Sequence, residues 1–362
     1  MEDKNKKLLI SSSIVLAAIL ILVLIYFISP KKCKDISSSS TKSFQVIMVT
    51  DGSSLHDGSF QETVWNGLVR VNNNPDMHIK ASYIETSNDA GIEAGLLTAA
   101  EKANLVIGCG AIMTDPMIKA STNNPNTKFL AVDDQGDIPT NELPANLKRI
   151  RTKVQGPSFL AGILAGKNTK TGKIGIMMGK DIAIIHEFVY GFMAGAKSVN
   201  PSVKFNIAVM NSFSDIQKYI AMTRQMIADN CDMILPVSGP CASAVFTAVR
   251  ECPKKIYVFG VDADQSSMAP DNLLASIVKR LDVIVEKECQ VFESGKFEGR
   301  KLEIYDLSSG GVDVVINKPL VSEEMQNLVE SVRKKLNSGE IKASSSKEEY
   351  DKNYATLKTP IL

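Results

Sequence analysis

The sequence is poor in aromatic side chains, which make up 6 % of its 362 residues, and it has a single tryptophan. Its only histidines are His56, His78 and His186, too few for a polyhistidine metal enzyme. Six cysteines are too few at this length for a disulfide framework. Cys241 and Cys252 flank one predicted helix, and its rise of about 16 Å keeps them too far apart to bridge. Charge of one sign is also missing: 41 lysines and arginines face 40 aspartates and glutamates, which argues against a dedicated nucleic-acid binder. There is no Asn-x-Ser/Thr acceptor, since Pro201 disqualifies Asn200. No calcium-loop, H-E-x-x-H or G-x-S-x-G pattern occurs. What remains is a globular composition, 44 % hydrophobic and 22 % charged, with room for two domains.

One long apolar run is present. Leu8 to Ser29 is 22 residues without a charge, preceded by Lys4, Lys6 and Lys7 and followed by Lys31 and Lys32. As a helix it is about 33 Å long, enough for a hydrocarbon core of roughly 30 Å. The apolar region of a cleaved signal peptide is shorter, about 7–15 residues. The expected layout is a short tail at 1–7, a transmembrane anchor at 8–29 and a serine-rich tether at 30–42. The remainder is placed on the extracytoplasmic face of the cell membrane. Cys33 opens an alternative, a lipid-modified cysteine, although Lys31-Lys32 stands where small residues are needed.

From Phe44 onward, short apolar segments alternate with segments of helical period. Strands are predicted at 44–50, 79–84, 104–109 and 128–133, then at 173–178, 203–210, 232–237 and 256–261. Helices are predicted at 62–71, 92–102, 184–199, 216–229, 242–250 and 323–336. This is an α/β pattern of two parallel sheets, each covered on both faces. The two-lobed domain is expected at 43–340. Lobe 1 covers about 43–150 plus 280–305, lobe 2 about 155–272 plus 310–340, and a polar tail follows at 341–362. The extended pieces 149–153 and 275–279 are candidate hinge crossings.

Open α/β sheets bind ligands beyond the carboxyl ends of their strands, so chemistry is sought there. Ser59 and Glu62 have capping-box spacing, which puts Phe60 at the first helical position. Ser212 and Asp215 repeat the spacing around Phe213. The two rings either pack under their own loops or close on a planar ligand from two sides. Asp51, Asp57, Asp133, Asp134, Asp262 and Asp264 also gather at strand ends. Each can cap a helix or accept from ligand N–H and O–H groups, and a metal-dependent hydrolase could use the same set. Asp133 and Asp134 are adjacent and point opposite ways on an extended chain, which weakens a paired-carboxylate active site. Cys109 is a weak nucleophile candidate, with only His56 at a matching strand end.

Ordered fragments then carry a family resemblance: Val49-Thr50-Asp51, Asp57-Gly58-Ser59-Phe60, Ser158-Phe159-Leu160-Ala161-Gly162 and Thr171-Gly172-Lys173-Ile174-Gly175. Further along are Gly191-Phe192-Met193-Ala194-Gly195-Ala196, Ser212-Phe213-Ser214-Asp215, Gly260-Val261-Asp262-Ala263-Asp264-Gln265 and Ser276-Ile277-Val278-Lys279-Arg280. From residue 44 to 340 the chain resembles the basic membrane protein family of substrate-binding proteins, of the purine nucleoside receptor type. The resemblance implies a periplasmic-binding-protein fold of type I, with two doubly wound lobes joined by three hinge crossings. It implies a purine sandwiched by Phe60 and Phe213, its edge read by Asp51, Gln61 and Asp133. Asp262 and Lys279 would hold the ribose, with Gly239 beside it. It further implies no enzymatic activity, no cofactor, a purine nucleoside ligand (guanosine, inosine or adenosine), an ABC transporter permease as partner, and a monomer. Rival readings are a sensor for a sugar or modified base, and a nucleoside hydrolase using the carboxylates. The chain departs from the family in having Gln61 for an asparagine, His56-Asp57 for an Asp-Asp pair, and Pro240 to Ala244 for a glycine-rich loop.

Overall fold

The strands follow from their composition. β-Branched and apolar runs buried on both faces suit the middle of a parallel sheet, and a computed structural model, describing residues 43–362 apart from Ser53 and Asp57, places them there. Sheet one contains β1 (Phe44–Val49), β2 (Ile79–Ile84), β3 (Leu105–Cys109), β4 (Lys128–Val132), β5 (Leu147–Thr152) and β11 (Lys301–Tyr305), in the order β11-β5-β4-β3-β1-β2. All its neighbours pair in parallel. Sheet two contains β6 (Lys173–Met178), β7 (Lys204–Val209), β8 (Met233–Val237), β9 (Tyr257–Asp262), β10 (Leu273–Lys279) and β12 (Val312–Ile316), in the order β12-β10-β9-β8-β6-β7. Only β12 runs antiparallel, beside β10. The first five strands of each sheet share one order, so β1–β5 correspond to β6–β10 in turn. β3 and β8 are buried at every residue, whereas the edge strands β2 and β7 are largely open.

Lobe 1 carries α1 (Phe60–Asn73), α2 (Asp89–Lys102), α3 (Thr114–Asn123) and α8 (Leu281–Glu293). Lobe 2 carries α4 (Gln155–Asn168), α5 (Ala183–Val199), α6 (Ile216–Ala228), α7 (Ala242–Arg250), α9 (Glu323–Asn337) and α10 (Lys347–Asn353). The chain crosses between the sheets after β5, after β10, and between β11 and β12. The motif glycines of α4 and α5 have a structural role: a Cβ at Gly195 would lie 1.9 Å from Phe159 O, and one at Gly162 would lie 2.0 Å from Phe192 O. Any side chain there would force the two helices apart.

The segment 341–362 is not the loose polar tail expected from its composition. Tyr350 and Tyr354 are buried in the lobe-2 core, the Tyr354 ring packs edge-on to Phe159 at 5.8 Å, and the Ile361 and Leu362 amides donate to Ser198 O. Two aromatic anchors offset the polarity of the rest. The membrane anchor expected at 8–29 lies outside the described residues. Among those described, no helix is long and apolar enough to cross a membrane.

Candidate functional site

An aspartate in the left-handed region stands directly after β4 and at the last position of the corresponding β9, Asp133 at φ 57° and Asp262 at φ 68°. Aspartate tolerates this conformation better than most residues. It turns each carboxyl group toward the gap between the lobes. At the end of β5, Thr152 Oγ1 donates to Asp133 Oδ1 at 2.6 Å. At the corresponding end of β10 stands Lys279, whose Nζ donates to Asp133 Oδ2 at 2.6 Å and lies 3.2 Å from Asp262 Oδ1. One ammonium thus joins carboxylates of both lobes. Burial alone would lower the Lys279 pKa, but the Asp133 and Asp262 charges outweigh it and push it above the ordinary lysine value.

Around this bridge lie the other lobe-1 residues. Phe60 opens α1 as expected, half-buried, with Lys279 Nζ 6.0 Å from its ring centre. A Cβ on Gly110 would come within 2.8 Å of Asp51 Oδ2 and 3.2 Å of Phe60 Cε2. The Asp51 carboxylate and the Phe60 ring therefore converge on one backbone point, which only a glycine at φ 110° can occupy. Gln61 is fully buried. Its Nε2 donates to Cys109 O at 2.9 Å, while its Oε1 has no hydrogen-bond partner among the described residues. Gln135 Nε2, beyond the end of β4, is also buried without a partner among the described residues.

In lobe 2, Phe213 lies against Gly179 and Gly239. A Cβ at Gly179 would sit 2.0 Å from Phe213 Cε1, and one at Gly239 3.6 Å from Cδ1. Lys180 Nζ stands 5.6 Å from the ring centre. These three neighbours of Phe213 all belong to lobe 2. The replacement segment Pro240 to Ala244 forms a short 3₁₀ turn and the start of α7, with Cys241 and Ala242 buried in the lobe. Gly239 alone, at φ 53°, keeps the open conformation at the strand end.

Neither capping box forms. Ser59 is the N-cap of α1 but makes no side-chain cap. Its Oγ instead donates across the gap to Asp262 Oδ2 at 3.0 Å, while Glu62 accepts from Gly58 N. Ser212 Oγ accepts from Ser214 N and Asp215 N, and Asp215 caps a helix that begins at Ile216. Phe213 therefore precedes α6 rather than opening it. Nor are the two rings equivalent in the repeat, since Phe60 follows the inner strand β1 and Phe213 the edge strand β7.

Asp133 and Asp134 do divide: Asp134 turns away to Thr114 Oγ1 and the buried Arg149 guanidinium. Asp57 lies outside the described residues. Residues missed at first sight are Thr152, Ser59 in its cross-lobe role, and Gln265, whose Nε2 donates to Gly58 O at 3.1 Å. Glu187 on α5 was also missed. Burial pushes its carboxyl up to about 7, with Asp133 acting in the same direction, against the Val154 amide, Lys279 and Lys153. Only the position of Thr152 beside Lys279 in the strand repeat could have flagged any of these.

Among the described residues, no cluster of three or more His, Cys, Asp or Glu could hold a metal ion. Burial pushes the Cys231 and Cys289 thiols up to about 11 and about 12. A groove of about 600 Å³ lies elsewhere, between the first and third crossings and the C-terminal segment, lined by Lys153, Gly156, Asp306, Leu336, Lys342 and Lys352. It contains none of the expected site residues.

Comparison with known proteins bears on the fold and the family. The fold is that of a solute-binding protein of an ABC transporter system from Aeropyrum pernix, with a TM-score of 0.74 and 21 % identity over 85 % of this chain and 96 % of the other. Basic membrane protein A of Borreliella burgdorferi is 31 % identical over 91 % of this chain and 95 % of its own. A Lactococcus lactis protein named as an ABC transporter nucleoside-binding protein is 27 % identical over 86 % of this chain and 93 % of its own. Residues 44–347 match the family described as ABC transporter substrate-binding protein PnrA-like, and the chain belongs to that family of binding proteins, which are not enzymes.

Proposed function

We propose that the protein captures a purine nucleoside between its lobes and delivers it to an ABC transporter permease, held at the membrane by residues 8–29. Phe60 and Phe213 flank the base, and Asp51, Gln61 and Asp133 accept from or donate to its edge. Asp262 and Lys279 take the ribose hydroxyls beside Gly239. The observation that carries this reading is the bridge from Asp133 through Lys279 to Asp262, which places charged donor and acceptor groups of both lobes at one point among the strand ends. The unpartnered Oε1 of Gln61 supports it, because a buried acceptor left unmade costs about 1–3 kcal/mol and a ligand N–H would satisfy it. The name of the Lactococcus lactis relative supports the ligand class.

Calorimetry with guanosine, inosine and adenosine against guanine and hypoxanthine tests the reading. Charge-assisted hydrogen bonds contribute about 1.5–3 kcal/mol each, so nucleosides bind at least about tenfold more tightly than free bases. Equal binding of base and nucleoside would remove the ribose site. Release of free base from inosine would instead mark a hydrolase.

A further inference from the structure

We infer that Ser59 and Gln265 form a latch between the lobes that sets how long the ligand is held; the ligand in this inference is the one proposed above. Both are positioning residues and neither is required to touch the ligand. The latch has two preformed halves. In lobe 2, Gln265 is 3 % exposed and already fixed: its Oε1 accepts from Val261 N at 3.0 Å and its own N donates to Ser276 Oγ at 3.0 Å. The remaining amide group, Nε2, reaches across to Gly58 O. In lobe 1, Gly58 is held to its own helix through its N–H to Glu62 Oε2 at 2.9 Å, and a Cβ added to it would stand 3.8 Å from Met268 Sδ of the opposite lobe. The neighbouring Ser59 hydroxyl occupies Asp262 Oδ2 while Lys279 faces Oδ1, so the latch also orients the carboxylate proposed to hold the ribose.

Each half is held by bonds within its own lobe, so closing immobilises few new rotamers. The bonds across the gap are made only in the closed state. Such bonds act on the escape rate rather than on encounter.

The substitution Gln265→Glu separates the two jobs of this side chain, because a carboxylate still accepts from Val261 N but cannot donate to Gly58 O. Ser59→Ala removes the hydroxyl and Ser59→Thr keeps it. The full chain in mild detergent is loaded with radiolabelled guanosine and chased with unlabelled guanosine. Gln265→Glu and Ser59→Ala are each expected to raise the dissociation rate about tenfold, with association within about twofold and Ser59→Thr near wild type. Dissociation rates near wild type for both variants overturn the latch, as does equal acceleration by alanine and threonine. If wild type holds no nucleoside, the functional reading fails by itself. Hydrogen exchange then decides the latch without ligand: Gln265→Glu speeds exchange around Gly58 and Ser59 in the opposite lobe, and unchanged exchange there overturns it.

Discussion

Lys148 and Lys279 each lie 4 % exposed between two carboxylates. Lys148 on β5 is 2.7 Å from Glu288 and 2.8 Å from Glu303, which belong to α8 and β11 of the same lobe. Lys279 is 2.6 Å from Asp133 in one lobe and 3.2 Å from Asp262 in the other. The same arrangement of charges therefore has two consequences. Beside Lys148, Glu288 is fully buried and cannot reach water without unfolding lobe 1. The carboxylates around Lys279 come from two lobes, so parting the lobes would return them to water without unfolding either one. The first cluster ties the returning segment α8–β11 to the sheet, and the second makes closure depend on the hinge lysine.

The largest expected effects come from removing each lysine. Lys148→Met leaves Glu288 buried and unpaired, and breaking a buried pair in this way costs about 3–5 kcal/mol of folding stability. Lys279→Met sets Asp133 and Asp262 against each other across the gap. It should lower nucleoside affinity on the order of 100-fold while altering the unfolding free energy much less. Urea unfolding and calorimetry on both variants test this, and equal destabilisation by the two would erase the distinction.

The rings offer a smaller test of the same contrast between lobe interior and lobe gap. Phe60→Ala and Phe213→Ala should each weaken binding by about 1–3 kcal/mol, the range for a lost stacking face. Gly179→Ala places a methyl group 2.0 Å from Phe213 Cε1 and must displace that ring. Its affinity loss should approach that of Phe213→Ala. Full affinity in Gly179→Ala would mean that the position of the Phe213 ring is irrelevant to the ligand.

The pH dependence offers a further contrast. The Glu187 carboxyl rises from 4.5 to about 7 in the folded protein, so folding takes up a proton between those values. Its favourable contribution is complete below pH 4.5 and is lost as pH climbs through 7. Glu187→Gln should gain stability over wild type across that window, by up to roughly 3 kcal/mol. Glu303 behaves oppositely. Partial burial would raise its carboxyl, but hydrogen bonds from Lys148, Tyr305 and Lys287 hold it at about 2. Its contribution is present above pH 4.5 and is lost as pH falls toward 2. Denaturant midpoints measured from pH 3 to 8 for Glu187→Gln and Glu303→Gln should slope in opposite senses relative to wild type.

Much of the architecture was legible because it is local. Parallel strands buried on both faces announce themselves as apolar runs, and β2 and β6 have the predicted limits. Amphipathic helices such as α9 carry their period in the chain. Helix α4 was invisible for the converse reason: ten of its 14 residues are buried, leaving no polar face to set a period. β11 and β12 are short returning strands whose partners lie far away in sequence. The anchoring of Tyr350 and Tyr354 depends on a lobe-2 surface that no local rule describes.

The sequence by itself determined the alternation of elements, the placing of Phe60 and the strand-end aspartates, and the absence of a recognisable catalytic motif. Tertiary structure alone decided which partners those residues take. The S-x-x-E spacing points Ser59 to its own helix, yet its hydroxyl goes to Asp262, 203 residues away. Lys279 closes a strand of lobe 2, yet its ammonium pairs with Asp133 of lobe 1 as well as with Asp262. Spacing along a chain constrains neighbours within a turn or two of helix. A hydrogen bond between lobes is settled only when two separately folded sheets bring their strand ends together.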